Sequence, residues 1–313
     1  MNLLGRTGLQ VSPICIGTSS WGVARAGESR TQADERIAAL ADAVLESASV
    51  NFLDTSNMYG GSRSESIIGH ALGRIDGLPK RTVLQTKLDR NLRTNSFSGD
   101  QMWRSLEQSL ERLDIDRVQV MYLHDPEVIG FAAAMADGGS VDTLVEMKSQ
   151  GLVEHIGISG GPVPMMLDFV ETGLFDSLVT HNRWTLVDRS AGRLFDAAVR
   201  HGTGICNAAP WGAGALLGDP SLRDRYGYRP TRPAVRTAID AMAGLCESAG
   251  VSLRAAAVQF SMRDPRVSST VVGVSSLDRF GQTLIDASVV IPDALWAELD
   301  EVQPPSTEAL DEN

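Results

Sequence analysis

The feature that most constrains this fold is a repeat. Short apolar runs alternate with helical stretches along the chain. Eight runs stand out: Ile14–Gly17, Asn51–Asp54, Val83–Lys87, Val118–Leu123, His155–Ser159, Leu178–His181, Gly204–Ala208 and Ser269–Val274. Each is brief and ends in polar or glycine-containing sequence. Continuous apolar runs of this length suit strands buried on both faces of a parallel sheet. Between them, apolar residues recur at helical spacing. Ile37, Leu40, Val44 and Leu45 share one face of Thr31–Glu46, and Met102, Trp103, Leu106, Leu110 and Leu113 share one face of Asp100–Leu113. Ser98 and Asp100 are candidate N-caps for the second of these. Ala191–Arg200 and Ala234–Ala249 follow the same pattern.

Two architectures accommodate such a repeat: an open doubly wound sheet and a closed (β/α)8 (TIM) barrel. A doubly wound nucleotide binder carries GxGxxG after its first strand. Here the first run leads into Gly17-Thr18-Ser19-Ser20-Trp21-Gly22, which is a different sequence. Eight strands with about eight helices predict the α/β barrel. With 313 residues, 43% of them hydrophobic, and no linker or break in composition, the expectation is a single domain over 1–313. Asn2–Ser12 reads as a small hairpin turned at Gly5 to Gly8. The tail, 304–313, is polar and acidic, and mobility is expected of it. The irregular stretch Asp219–Pro233 is long enough to be a functional loop. Its Arg223, Arg225 and Arg229 suit either a solvated face or a lid.

Charge and cysteine usage narrow the class. The formal net charge is −11 and no Lys/Arg run occurs, so a phosphate-neutralising face is absent from the sequence. The partner expected is a small molecule, not nucleic acid. Cys15, Cys206 and Cys246 are odd in number and lack CxxC spacing, as expected of free thiols in a reducing compartment. No apolar run approaches the roughly 18 residues that span a membrane, and no signal-peptide layout opens the chain. A cytoplasmic protein, monomeric or a small homo-oligomer, is the expectation.

In a barrel of this kind the active site gathers at the C-terminal ends of the strands. Asp54 ends the second run, Lys87 the third and Ser159 the fifth. His124 and Asp125 follow the fourth, and His181 and Asn182 close the sixth. Tyr59 follows Asp54 by five residues. An ammonium beside a phenol favours the phenolate. Asp54 holding Lys87 charged predicts a Tyr59 able to exchange a proton near neutral pH, with His124 orienting a carbonyl or hydroxyl oxygen. The set suits carbonyl–alcohol interconversion, for which a cofactor must supply the hydride.

These segments resemble those of the aldo-keto reductase superfamily. The resemblance is carried by Asn51-Phe52-Leu53-Asp54-Thr55-Ser56-Asn57-Met58-Tyr59-Gly60, by Leu84-Gln85-Thr86-Lys87 and by Val120-Met121-Tyr122-Leu123-His124-Asp125-Pro126. It runs from Leu4-Gly5-Arg6-Thr7-Gly8 to about Leu299. It implies an NAD(P)-dependent oxidoreductase. Tyr59 would be the proton donor or acceptor, Lys87 and Asp54 its helpers, and His124 the residue that orients substrate. It implies cofactor contacts from Ser159, Gly160, His181 and Ala208, and from Gly273, Ser275, Arg279, Gln282 and Thr283 around the adenosine phosphate. Gly160 stands where asparagine is common in that family, His181 where glutamine is usual, and Ala208 near a position often held by a stacking tyrosine. Leu123-His124-Asp125-Pro126-Glu127, Asn207-Ala208-Ala209-Pro210-Trp211 and Tyr226-Gly227-Tyr228-Arg229-Pro230 resemble the aldose 1-dehydrogenase branch, whose members act on L-fucose, L-galactose, D-threo-aldoses or pyridoxal. Trp21, Trp184 and Trp211 follow the first, sixth and seventh runs and are candidates to line a substrate pocket.

Each residue also has an ordinary structural role. Asp54 could cap a turn, Lys87 sit at the surface, His124 pack in the core and Tyr59 fill space. Trp21, Trp184 and Trp211 could equally be rim or core packing. What the ordinary roles leave unexplained is the joint occurrence of the four at successive strand ends. Three other functions compete: an NADPH-dependent aldehyde or ketone reductase, a nucleotide sensor without turnover, and a metal-dependent hydrolase using His124, Asp125, His181 and Asp54. No HxH or HExxH spacing supports the last, and no metal is expected.

Overall fold

The computed structural model describes residues 1–311. All eight runs are strands, and they close into one parallel barrel. We label them β1 (Ile14–Gly17), β2 (Phe52–Asp54), β3 (Val83–Leu88), β4 (Val118–His124), β5 (Val153–Gly160), β6 (Ser177–His181), β7 (Gly204–Ala208) and β8 (Ser269–Gly273). Neighbours in sequence are neighbours in the barrel. Val271 of β8 pairs with Cys15 of β1 on one side and Ala208 of β7 on the other, which closes the ring.

Alternation along the strands divides the apolar residues between two cores. Cys15, Phe52, Val120, Tyr122, Val179, Cys206 and Val271 fill the barrel interior. Ile14, Ile16, Leu53 and Val272 face the surrounding helices. Gly157 on β5 is required by this interior, because a Cβ there would lie 2.4 Å from the Tyr122 ring. The N-terminal hairpin pairs Asn2 with Val11 and Leu3 with Gln10. Its Leu4 and Val11 are fully buried and plug the barrel floor. Gly5, at φ +52°, touches β7 so closely that a Cβ would approach the Gly204 nitrogen to 2.2 Å.

The helices form where their periodicity places them. Arg30–Glu46 starts from a capping box made by Ser29 and Gln32. Gly99–Leu113 is capped by Ser98, whose hydroxyl accepts from the Gln101 N–H at 3.4 Å. Asp100 is not a cap but lies in that helix's first turn, where its charge suits the helix dipole. Gly192–His201 and Pro233–Ser248 match the expected stretches within a residue or two.

The tail departs from expectation. Ser306–Glu308 forms a helical turn, Leu310 is buried, and Asp311 receives Arg183. The Arg183 Nη2 donates to Asp311 Oδ1 at 2.7 Å and the Val163 N–H to Oδ2 at 2.8 Å. Composition alone predicts solvation; it misses that a buried guanidinium on the barrel needs an anion. Residues 312 and 313, also part of that expectation, lie outside the described residues. The stretch 219–233 is likewise anchored. It carries a turn at Pro220–Leu222 and a hairpin pairing Arg225–Tyr226 with Arg229–Pro230. Arg223 pairs with Asp240, and Arg229 donates to the Leu310 carbonyl.

Because Arg183 is buried, Asp311→Ala should strand its charge and cost about 3 kcal/mol or more. The measurement is the urea midpoint of the variant against the parent at constant m-value.

Candidate active site

Strand ends aim the functional side chains. Asp125, Asn182 and Ala209 follow β4, β6 and β7 directly, and all three have positive φ, at 47°, 61° and 55°. Each turns the backbone sharply after His124, His181 or Ala208. All three strand-terminal residues line one cavity of about 620 Å³ at the C-terminal end of the barrel. Left-handed backbone at non-glycine residues is uncommon and concentrates at functional sites.

Asp54 and Tyr59 line the same cavity, and Lys87 lies buried beneath it. The Lys87 Nζ donates to Asp54 Oδ1 at 2.7 Å and to the Thr55 carbonyl at 2.7 Å. It stands 4.5 Å from the centroid of the Tyr59 ring. Gln85 donates to the same carboxylate oxygen at 2.8 Å. Burial opposes charge on Lys87, but Asp54 and Tyr59 together outweigh it and hold the amine above its ordinary range. Tyr59 departs from the expectation of a phenol tuned to neutrality. Its own burial raises its pKa by more than the Lys87 ammonium lowers it. In this structure Tyr59 is a proton-bearing phenol.

His124 has a partner that sequence reasoning missed. Its Nδ1 lies 2.6 Å from Asp89 Oδ1. The other carboxylate oxygen accepts from the Ser56 hydroxyl and, at 3.0 Å, from the Met58 N–H. Asp89 is buried. Burial alone would raise its carboxyl, but His124 and these donors hold it below the ordinary range. Burial would likewise lower the His124 ring; the Asp89 charge reverses the sign and raises it. A signal was available in the sequence, since Asp89 follows Lys87 by two residues and so falls on the same side of the chain.

Of the expected cofactor residues, Ser159, His181, Ala208 and Gly273 line the cavity. Burial first, then Arg183, pushes His181 down to about 4, so it is neutral. Gly160 is buried instead: a Cβ there would lie 3.0 Å from Glu127 Oε2, whose other oxygen accepts from the Gly161 N–H. Ser275 does not line the cavity. Its carbonyl receives Arg25 at 3.0 Å and Arg36 at 2.5 Å, two cations that the sequence pattern did not bring together with it. Arg279 is exposed on the first turn of Leu277–Ser288. Gln282 is turned to Asp286, and the buried Thr283 hydroxyl donates to the Arg279 carbonyl inside that helix. A helix-internal back-bond satisfies Thr283 without any ligand.

Among the three tryptophans, Trp211 lines the cavity. Trp21 is fully buried and donates to the Val274 carbonyl at 2.9 Å. Trp184 packs at tilted angles between Phe195 and Phe260, away from the cavity. The rim also carries Asp125, Glu127 and Tyr228. Ligand atoms of Asp125, Glu127 and His181 lie within 4.8 Å of one another. No helix among the described residues is long and apolar enough to cross a membrane.

Carboxylate, phenol, ammonium and imidazole gathered at the mouth of a single barrel define a class of oxidoreductase. The chain belongs to the aldo/keto reductase family, whose model matches residues 13–304. It is similar to the L-galactose dehydrogenase of Arabidopsis thaliana, 28% identical over 284 residues that cover 89% of this chain and 85% of the relative. It is similar to the pyridoxal 4-dehydrogenase of Microbacterium luteolum, at 26% with 95% of each covered. It is also similar to the D-threo-aldose 1-dehydrogenase of a Pseudomonas species, at 28% with 93% of this chain and 95% of the relative covered. The fold is that of the aldo-keto reductase AKR11C1 from Bacillus halodurans in its holo form, with a TM-score of 0.72 at 20% identity, over 96% of this chain and 94% of that one. The protein is an NAD(P)-dependent oxidoreductase.

Lys87→Met should leave Asp54 as a buried, unpaired carboxylate and cost about 3–5 kcal/mol. Adding Asp54→Leu should restore part of that loss. A double-mutant cycle of urea midpoints measures it, and strict additivity of the two losses would contradict the pairing.

Proposed function

We propose that this enzyme interconverts a hydroxyl and a carbonyl group on a sugar or a similarly small polar molecule, with oxidation of an aldose as the reaction it is best suited to. The observation that carries the reading is the meeting of Asp54, Tyr59, Lys87 and His124 at one end of a single cavity. In reduction Tyr59, as a phenol, donates its proton to the reacting oxygen; in oxidation its phenolate form takes the hydroxyl proton. Lys87 stabilises negative charge that develops on Tyr59, and Asp54 keeps Lys87 charged and in place. His124 holds the same oxygen from the other side, its ring edge-on to Tyr59 at 5.8 Å between centroids.

When bound, the nicotinamide supplies the hydride acceptor or donor. The residues suited to hold it are Ser159 and His181, which offer polar atoms, and Ala208 and Gly273, whose small size leaves the floor open. Ser275 and Arg279, with Arg25 and Arg36 beside Ser275, would face its anionic half. Gly160, Gln282 and Thr283 are engaged elsewhere and drop out of this assignment. Trp211 lines the same cavity as Ala208 and is the aromatic residue suited to pack against the nicotinamide.

The substrate class is supported by the rim. Asp125 and Glu127 accept hydrogen bonds from hydroxyl groups, and Trp211 and Tyr228 offer flat apolar faces. Relatives named for L-galactose and D-threo-aldose point the same way. We also infer a reducing, cytoplasmic setting, since Cys15, Cys206 and Cys246 are all buried free thiols. A monomer or small homo-oligomer suits a site built wholly within one barrel, and the net charge of −11 favours a small-molecule partner over nucleic acid.

The test is the near-UV absorbance change on mixing the protein with NAD⁺ or NADP⁺ and L-galactose, L-fucose, D-arabinose or pyridoxal, and with reduced cofactor and simple aldehydes. Reduction of cofactor by a sugar is expected. Tyr59→Phe should lower kcat by about 100-fold or more while cofactor affinity stays close to the parent's. Full activity in that variant would remove Tyr59 from the reaction.

A further inference from the structure

The ordinary neutral histidine chooses between two tautomers, and the choice decides what its exposed nitrogen can do. Here the choice is constrained. The Nδ1 of His124 faces Asp89 Oδ1 at 2.6 Å, inside a buried pocket. Asp89 is itself over-determined: the Ser56 hydroxyl and the Met58 N–H both donate to its Oδ2. Two donors on Oδ2 favour the ionised carboxylate, and an ionised carboxylate accepts and cannot donate. The hydrogen between Asp89 and His124 therefore belongs to Nδ1.

We propose that Asp89 is a positioning residue that fixes His124 with its proton on Nδ1, so that the cavity-facing Nε2 can donate a hydrogen bond only when the ring is an imidazolium. The inference rests on the oxidoreductase reading above and gives it a direction-dependent pH response. A charged His124 offers Nε2–H to a carbonyl oxygen, as reduction requires. A neutral His124 offers no donor to a carbonyl oxygen, so it does not assist reduction, and it leaves the hydroxyl proton of an alcohol to pass to Tyr59 in oxidation. The neutral Nε2–H form, which would serve reduction at any pH, is closed off by Asp89.

The groups around the ring set where the change occurs. Asp89 faces Nδ1, and Asp125 Oδ1 lies 3.6 Å from Nε2. Both favour the charged form, as does Glu127 on the same loop when ionised. Lys87, from the barrel interior, opposes it. His181 across the mouth is neutral, and Tyr59 keeps its proton. The balance raises His124 above the ordinary histidine value. Reduction should then be strong below that raised midpoint and fall about tenfold per pH unit above it, while oxidation rises over the same interval.

The deciding experiment is NMR of ring-labelled ¹⁵N-histidine in the full-length protein, with and without nicotinamide nucleotide. His124 is assigned by its absence from a His124→Gln spectrum. A proton on Nδ1 and a raised midpoint are expected in the parent. Asp89→Asn should lower the midpoint by about one pH unit or more. Ser56→Ala should raise it, because a carboxylate stripped of one donor attracts the proton more strongly. The limbs of the pH–kcat/KM profiles should move with those midpoints. A part that merely supports the fold would lower activity in both variants without moving the midpoint in opposite directions. A neutral ring carrying its proton on Nε2, or a midpoint indifferent to both substitutions, would overturn the proposal. Should Asp89→Asn not fold, the parent's tautomer and the sign of the Ser56→Ala shift decide it. The ring signals need no turnover. A correct tautomer without any activity would sink the oxidoreductase assignment alone, and activity with the wrong tautomer would sink this one alone.

Discussion

Everything at the mouth of this barrel depends on an ion pair that has almost no water. Lys87 and Asp54 are 1% and 3% exposed, and at that depth neither charge is tolerable without the other. The structure answers with a chain of donors running along the barrel interior. The Tyr122 hydroxyl lies 2.7 Å from Ser177 Oγ and donates to Gln85 Oε1 at 2.8 Å; Gln85 in turn donates to Asp54. The Tyr122 hydroxyl and the Gln85 amide both point toward the carboxylate. The ammonium above it is thereby fixed beneath the Tyr59 ring, and the phenol acquires a cation that no solvent can screen.

Two histidines at the same mouth show how far burial alone is from deciding charge. His124 and His181 both end barrel strands and both line the cavity. His124 has a carboxylate against Nδ1 and is drawn toward the imidazolium. His181 has the Asn182 amide against its Nδ1, and burial first, then the nearby Arg183 guanidinium, drives it neutral. The same guanidinium donates to the His181 carbonyl and to Asp311, so the tail helps to shape the rim. One cavity wall can hold a cation and the other a neutral ring a short distance apart.

Much of this was legible in the sequence, and the reason is periodic. Strand ends in a barrel converge by topology, so Asp54, Lys87, His124, Ser159 and His181 could be placed at one mouth from the spacing of apolar runs. What the runs cannot convey is packing across the ring. Trp21 and Trp184 sit near strand ends yet turn into the core, because shape and not register decides where an indole fits. Thr283 lies on the expected helix with its hydroxyl bonded back to Arg279. Arg25 and Arg36 reach Ser275 from about 240–250 positions away in the chain, a contact no local pattern encodes. The tail read as solvated because its composition is polar. Its anchor is a single buried arginine whose need for an anion appears only in three dimensions.

The donor chain through the barrel has a bearing on how this sequence can drift. Tyr122 donates to Gln85 and Gln85 to Asp54, with Ser177 in contact with the Tyr122 hydroxyl, and a change at any one alters the hydrogen bonding of a buried neighbour. Such positions are physically coupled, so a substitution at one calls for a compensating change at its neighbour, even though Ser177 lies at the opposite end of its strand from the reaction. The rim residues Asp125, Glu127, Trp211 and Tyr228 carry no such obligation to the interior. A lineage descending from this protein is free to acquire new substrates by rewriting its loops while the axis beneath them remains unchanged.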